Sequence, residues 1–208
     1  MTGRLVLATA NPGKVAELSR LLVGLPYEVR SLAEYPGLAL PPEVGATYAD
    51  NARAKARAVH AATGALAIGD DSGLEVAALA GGPGVETARY GGPGLDDAER
   101  MARLLAAVRG ACSRAARFRC VLTLVAPWGE HAVVEGVADG WLADAPRGRG
   151  GFGYDPIFVV PEIGRTFAEL EEAERHRWSH RARAVARAAP LLLDWARRAA
   201  APSHDPRG

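Results

Sequence analysis

The run Ala65-Leu66-Ala67-Ile68-Gly69 leads straight into Asp70-Asp71-Ser72-Gly73-Leu74-Glu75-Val76, and no other junction constrains the fold as strongly. A short, unbroken apolar stretch reads as a strand buried from both sides. A serine and a glycine follow the acids, so the pair is expected where that strand ends and the chain turns. Two neighbouring carboxylates at a buried strand end repel each other and are costly to desolvate unless a cation or a proton intervenes. Such a pair holds a metal or moves a proton; the plainer alternative is a turn in which Asp71 and Ser72 bond nearby backbone.

Around this junction the chain reads as mixed α and β. Leu5-Val6-Leu7-Ala8 is another buried-type strand. Asn11 suits a helix N-cap, and Pro12 suits the first helical position, where its missing N–H would be unpaired anyway. Val15, Leu18 and Leu22 then share one face, and Gly24 suits the stop. Proline and glycine from Leu32 to Pro42 predict a loop. Thr47 and Asp50 form a capping box for a helix running to about Thr63. Beyond the acids, Gly81-Gly82-Pro83-Gly84 and Gly91-Gly92-Pro93-Gly94 punctuate a loop. A helix from Leu95 to Val108 turns Met101, Leu104, Leu105 and Val108 inward. Arg117 to Pro127 reads as a strand with Phe118, Cys120, Leu122 and Leu124 on one face, turned back by Trp128-Gly129-Glu130 into Ala132–Val137 as a hairpin. A glycine- and arginine-rich stretch from Arg147 to Gly153 precedes a strand around Ile157–Val160. Ser179 caps a last helix with Val185, Ala188, Leu192 and Trp195 on one face, and the tail from Pro202 is expected to fray. No linker or repeat divides the chain, so residues 1–200 are expected to form one domain, with 201–208 a tail.

The 208 residues carry 25 Lys and Arg against 24 Asp and Glu, a formal net charge of +1. No global field draws such a chain onto nucleic acid or membrane, so any basic site is local. Cys112 and Cys120 lack zinc-type spacing and are too few for a disulfide framework, and Cys120 falls in the apolar strand pattern as a core residue. No signal peptide and no apolar run of about 18 residues is visible, so the expected location is cytoplasmic.

Four segments carry residues suited to chemistry. The Thr9–Lys14 turn offers a helix amino terminus with unpaired N–H groups, short polar side chains at Thr9 and Asn11, and the Lys14 charge one turn in. It lacks the glycine framework of a P-loop, and an ordinary capped helix with a solvated lysine fits it as well. Asn51 and Lys55 are four apart on one helix face, and Glu43 lies in the loop before them. Glu43 beside Asp71 would supply the hard oxygen ligands that Mg²⁺ takes, with substrate phosphates and waters completing the shell. Gly151-Phe152-Gly153-Tyr154-Asp155-Pro156 sets an aromatic ring between glycines, as a stacking platform for a base, as a plain aromatic plug, or as part of a short RGG-type segment. Arg175-His176-Arg177-Trp178-Ser179-His180-Arg181 places cationic side chains at an expected helix start, against the helix dipole. That conflict suits a site where a ligand brings the negative charge, though a solvated basic cap has the same sequence.

In this order the segments resemble the inosine triphosphate pyrophosphatase family. Thr9-Ala10-Asn11-Pro12-Gly13-Lys14 matches its T-x-N-x-x-K opening, Asn51 and Lys55 its N-x-x-x-K helix, and Asp70-Asp71-Ser72-Gly73-Leu74 its central acidic motif. Phe152-Gly153-Tyr154-Asp155-Pro156 matches its F-G-Y-D-P loop and Ser179-His180-Arg181 its S-H-R ending. The resemblance implies an elongated mixed β-sheet flanked by helices, α/β in class, with two lobes around a central nucleotide-binding cleft, a homodimer and a Mg²⁺ requirement. The activity it implies is hydrolysis of non-canonical purine nucleoside triphosphates (ITP, dITP, XTP) to the monophosphate and pyrophosphate, which cleanses the nucleotide pool. By position, Asp71 would be the general base and, with Glu43, a metal-site acid. Thr9, Ala10, Asn11, Pro12, Gly13 and Lys14 would hold phosphates. Asn51, Lys55, Ser72, Phe152, Gly153, Tyr154, Asp155, Arg175, His180 and Arg181 would contact the nucleotide, with Phe152 stacked on the base and the His180-Arg181 pair reading its oxygenated edge. Arg175 stands where the family usually has lysine, and Pro42 precedes Glu43 where it often has another acid. A Maf-like pyrophosphatase of other specificity and a non-catalytic nucleotide sensor are the rival readings.

Overall fold

Strict alternation of buried side chains sets the first layer. The computed structural model describes residues 3–201, so the tail from Pro202 lies outside the described residues. In strand β1 (Gly3–Ala8), Leu5 and Leu7 enter one core while Val6 and Ala8 enter another on the opposite face. Helix α1 (Pro12–Leu21) follows, capped by the Asn11 side chain on Lys14 N–H with Pro12 inside the first turn, as expected. Strand β2 (Tyr27–Arg30) then pairs parallel to β1. Next come α2 (Tyr48–Thr63), whose N-cap is Thr47, and β3 (Leu66–Val76). Helix α3 (Asp97–Ala107), capped by Asp96, leads to the hairpin of β4 (Ala115–Val125) and β5 (His131–Leu142). Short strands β6 (Phe158–Val160) and β7 (Arg165–Thr166) precede α4 (Glu172–Trp178) and α5 (His180–Ala200).

The seven strands form one sheet in the order β2-β1-β3-β4-β5-β6-β7, parallel from β2 to β3 and antiparallel from there to β7. The expected hairpin is present, with Ala126 N–H bonded to the Glu130 carbonyl across its turn. Cys120 is a buried core residue.

Three expectations need correction. The strand does not end at the acids: β3 runs through Asp70 and Asp71 to Val76, because β4 pairs with all of it after Leu66, Ala67 to Val76 against Val125 to Ala116. Gly73, read as a turn residue, instead permits close packing, since a Cβ there would lie 2.3 Å from the Gly84 carbonyl oxygen. Strand β2 was not foreseen. The basic stretch is not one helix start: Arg175, His176 and Arg177 fill the last turn of α4, where cations complement the dipole, and only His180 and Arg181 open α5.

The partners of β3 change along its length, and this positions the cleft. Leu66 to Gly69 lie beside Leu5 to Ala8 of β1, but β1 stops there. From Asp70 to Gly73 β3 is paired on the β4 side alone, and only at Glu75 does the chain bridge it again on the other side, through Pro83, so the flank vacated by β1 is open beside the acids. The face of β3 that carries Asp70 also carries Leu66 and Ile68 in one core, with α5, and Leu74 and Val76 in a second core, with α3 and Phe158. Asp70 and Ser72 therefore sit at a seam between two hydrophobic cores.

Candidate active site

The seam opens into a cleft of about 400 Å³ whose lining includes Thr9, Ala10, Asn11, Lys14, Glu43, Lys55, Asp71, Ser72, Phe152, Gly153, Tyr154, Asp155, His180 and Arg181. Distant segments meet there because β3 forms its floor while α1 and α5 pack on one face and α2 on the other. Strand alternation sends the two adjacent acids to opposite faces, so they do not confront each other as a pair.

Asp70 is wholly buried and points toward α1 and α5. Its Oδ1 accepts from Lys14 Nζ at 2.8 Å and from Ser72 Oγ at 2.8 Å, and its Oδ2 accepts from Arg181 Nε at 2.6 Å. Burial alone would raise this carboxyl; the Arg181 guanidinium and the Lys14 ammonium outweigh burial and hold it well below the usual carboxylate range. Asp70 is thus a permanent anion whose contacts are two cations, a hydroxyl and the Cys120 thiol, 3.7 Å from Oδ2. Arg181, 1% exposed, spends its remaining reach on Glu17 through Nη1 and on Ser72 Oγ at 2.9 Å through Nη2. Glu17 also accepts from Ser179 Oγ at 2.5 Å, and Ser179 caps α5 by accepting from the Arg181 and Ala182 N–H groups. Glu17 was absent from the sequence reading, although it stands one helical turn after Lys14 on the same face, a spacing that brings side chains together.

Asp71 faces α2. Its Oδ2 accepts from Asn51 Nδ2 at 3.0 Å, and Lys55 Nζ lies 3.4 Å from its Oδ1. Here burial dominates over Lys55 and Asn51, and the carboxyl is pushed up. Lys55 Nζ also donates to Glu43 Oε1 at 2.6 Å and to the Asp70 carbonyl at 2.5 Å. Asn51 does not line the cleft; its other contact, Oδ1 with Gly45 N–H at 2.8 Å, ties down the loop behind Glu43. Glu43 and Asp71 therefore meet across one ammonium group, both facing the cleft.

Phe152 closes the cleft over the Thr9–Lys14 turn. A Cβ on Gly13 would lie 2.6 Å from the Phe152 ring, so glycine is what lets the ring settle there, and the Arg181 guanidinium lies 5.7 Å from the ring centroid. Asp155 is buried and accepts from Phe152 N–H at 3.1 Å, and burial pushes its carboxyl up to about 7. His180 stacks on Phe118 at 4.8 Å with its Nδ1 buried and unpartnered, and burial pushes its imidazole down to about 3, so it is neutral. Pro12 and Gly13 support the turn without lining the cleft. Arg175 does not line it either: its Nη1 donates to the Phe167 carbonyl at 3.4 Å. Thr87, Asp97 and Arg100 do line it and carried no sequence signal.

The donor chemistry at Glu43 and Asp71 suits Mg²⁺, which takes one or two carboxylates and completes its shell from phosphates and water. Among the described residues no cluster of three or more His, Cys, Asp or Glu side chains is placed to hold a metal by itself. Two carboxylates open to a cleft fit an ion that arrives with a phosphorylated ligand.

A model of the Ham1 family matches residues 5–191. The chain is 52% identical over 181 residues to the dITP/XTP pyrophosphatase of Gloeobacter violaceus, covering 87% of this chain and 90% of the relative. It is 50% identical over 184 residues to the dITP/XTP pyrophosphatase of Thermus thermophilus, covering 88% of each. A solved HAM1 protein from Coxiella burnetii superposes with a TM-score of 0.83 at 39% identity, over 92% of this chain and 98% of that one.

Proposed function

The chain belongs to the Ham1 family, and from that premise and the cleft we infer that it is a nucleoside triphosphate pyrophosphatase, hydrolysing non-canonical purine nucleoside triphosphates such as ITP, dITP and XTP to the monophosphate and pyrophosphate. The observation that carries this reading is the convergence of Lys14, Asp71 and Arg181, remote in sequence, on one cleft. Family membership sets aside the Maf-like alternative, and a nucleotide sensor would have no use for a buried carboxyl facing the ligand.

In the reaction proposed, the Thr9–Lys14 turn and the Lys14 ammonium bind the phosphates, with Lys14 aimed by Asp70. Asp71 orients a water against the α-phosphorus and takes its proton as the water oxygen forms its bond to phosphorus and the bond to the pyrophosphate oxygen breaks. The raised carboxyl makes Asp71 a better proton acceptor than an exposed aspartate, and Asn51 and Lys55 fix its direction. Mg²⁺, held by Glu43 and Asp71 in this proposal, would supply charge neutralisation at the phosphates and on the departing pyrophosphate. Phe152 stacks on the base. The neutral His180 imidazole offers an N–H to a 6-oxo group; adenine's 6-amino group would leave that donor unpaired. Arg181 acts chiefly as a buried clamp, since Asp70, Glu17 and Ser72 occupy three of its N–H directions.

The same reading carries a homodimeric, cytoplasmic enzyme built as one domain. No helix among the described residues is long and apolar enough to cross a membrane. Incubation with Mg²⁺ and a panel of triphosphates, with product identification, tests the function: pyrophosphate with IMP or XMP is expected. Orthophosphate release, or no turnover of any of them, would refute it.

A further inference from the structure

The ion pairs at the phosphate end of the cleft leave no net positive charge, although Lys14 can still reach a phosphate. Lys14 and Arg181 are bound to Asp70 and Glu17, and Lys55 to Glu43 and Asp71, so the carboxylates outnumber the cations by one. A triphosphate brings more negative charge than one magnesium ion cancels, and Lys14 shares its charge with Asp70, so a further cation outside the buried network is called for. Arg100 also lines the cleft, but it lies 3.7 Å from Asp97 on α3, the helix whose Met101 and Leu104 belong to the second core. His180 is neutral.

Arg89 meets the requirement. It ends the short 3-10 helix Gly84–Arg89, whose Thr87 and Ala88 line the cleft, and itself stands just outside that lining beside Glu43. Its Nη1 lies 3.5 Å from Glu43 Oε2, on the opposite carboxylate oxygen from Lys55. Its Nε and Nη2 hold Glu86 at 2.9 and 2.8 Å, a fork-to-fork pair at the surface. The Arg89 side chain is 44% exposed, so it can exchange an exposed carboxylate for a phosphate at small cost, unlike the buried Arg181.

We propose that Arg89 is a further substrate-binding residue, which leaves Glu86 to grip the β- and γ-phosphates beside Glu43. The proposal rests on the pyrophosphatase reading and adds a residue to it. Calorimetric titration of Arg89→Ala and Arg89→Lys with inorganic pyrophosphate and with IMP, both in Mg²⁺, separates the phosphate tail from the nucleoside. Arg89→Ala should weaken pyrophosphate binding, and raise the KM for ITP, by about tenfold, the scale of one lost charge-assisted hydrogen bond. IMP binding should be unchanged, and Arg89→Lys should recover part of the loss. Pyrophosphate affinity equal to wild type, an equal loss for IMP, or no recovery with lysine would each overturn the proposal. A wild-type protein that does not hydrolyse ITP would instead defeat the pyrophosphatase reading.

Discussion

Neutralising the two neighbouring acids should have opposite effects on stability. Asp70→Asn leaves Arg181 and Lys14 without their shared anion, and an amide nitrogen would face one of two donors. Breaking a buried pair by removing one partner costs about 3–5 kcal/mol. At about 2–4 °C per kcal/mol for a chain of this size, the melting temperature at pH 7 should fall by about 10 °C. Asp71→Asn removes a charge that burial disfavours while keeping an acceptor for Asn51. Its melting temperature should lie between that of wild type and about 3 °C above it, while turnover is nearly abolished and ITP binding survives. The pH dependence has opposite signs too. Asp70's carboxyl is depressed in the folded protein, so its contribution is fully present above the unfolded value of about 3.9 and is lost as pH falls through the folded one. Asp71's is raised, so ionisation costs stability as pH rises, and the gain from Asp71→Asn should appear only above about pH 4. Differential scanning calorimetry between pH 3 and 8 measures both. An Asp70→Asn protein within 2 °C (roughly 0.5–1 kcal/mol) of wild type at pH 7 would refute the clamp, as would an Asp71→Asn protein destabilised as much as Asp70→Asn.

Asp155→Asn should raise the melting temperature more at pH 8 than at pH 5. The wild-type carboxyl, pushed up to about 7 by burial, contributes its stabilisation below the unfolded value of about 3.9 and loses it as pH rises through 7. An equal shift at both pH values in a dye-binding melt would contradict this. Gly13→Ala should displace the Phe152 ring and raise the KM for ITP several-fold, as Phe152→Ala should; kcat should change less, and the double variant should be no worse than Phe152→Ala alone. Additive losses would place the two residues in separate roles. His180, held neutral by burial, should contribute no limb to the kcat/KM profile between pH 5 and 8. A limb present in wild type and missing in His180→Gln would show that the imidazole titrates.

The sequence was most legible where structure is locally determined. Asn11, Thr47 and Ser179 cap their helices because a short polar side chain reaches N–H groups within its own turn. The face of α5 carrying Val185, Ala188, Leu192 and Trp195 is buried as its spacing required. Pairing between distant strands was not legible. Tyr27–Arg30 is a four-residue edge strand in which only Tyr27 and Val29 alternate with Glu28 and Arg30, too short a pattern to mark a strand, and it exists because β1 accepts it. Ser72-Gly73 has turn chemistry, which β4 overrides by pairing with both residues. The basic stretch misled because Ser179 caps one helix while ending another, so the arginines before it belong to a helix end. Motif order located most of the cleft lining, but Glu17 meets Ser179 and Arg181, and Arg89 meets Glu43, only across long stretches of chain, which local spacing does not reveal.

One strand explains why the acids can be buried at all. Along the Asp70 face, β3 reads Leu66, Ile68, Asp70, Ser72, Leu74 and Val76, so two polar positions interrupt an apolar row. A strand packed under a single core would leave those positions desolvated and unpaired. Instead the apolar residues on either side join different cores, and the helices that cover them meet at the seam. Because β1 ends opposite Gly69, the seam is open along one flank. Lys14 enters from the turn that follows β1, and Arg181 from the helix start at the seam, so the cations that stabilise Asp70 come from the segments that border the cleft. The same geometry leaves Asp71, one residue on and facing the other way, with a single shared ammonium group and access to the cleft. Strand alternation thereby divides one acidic dipeptide into a structural anion and a reactive one.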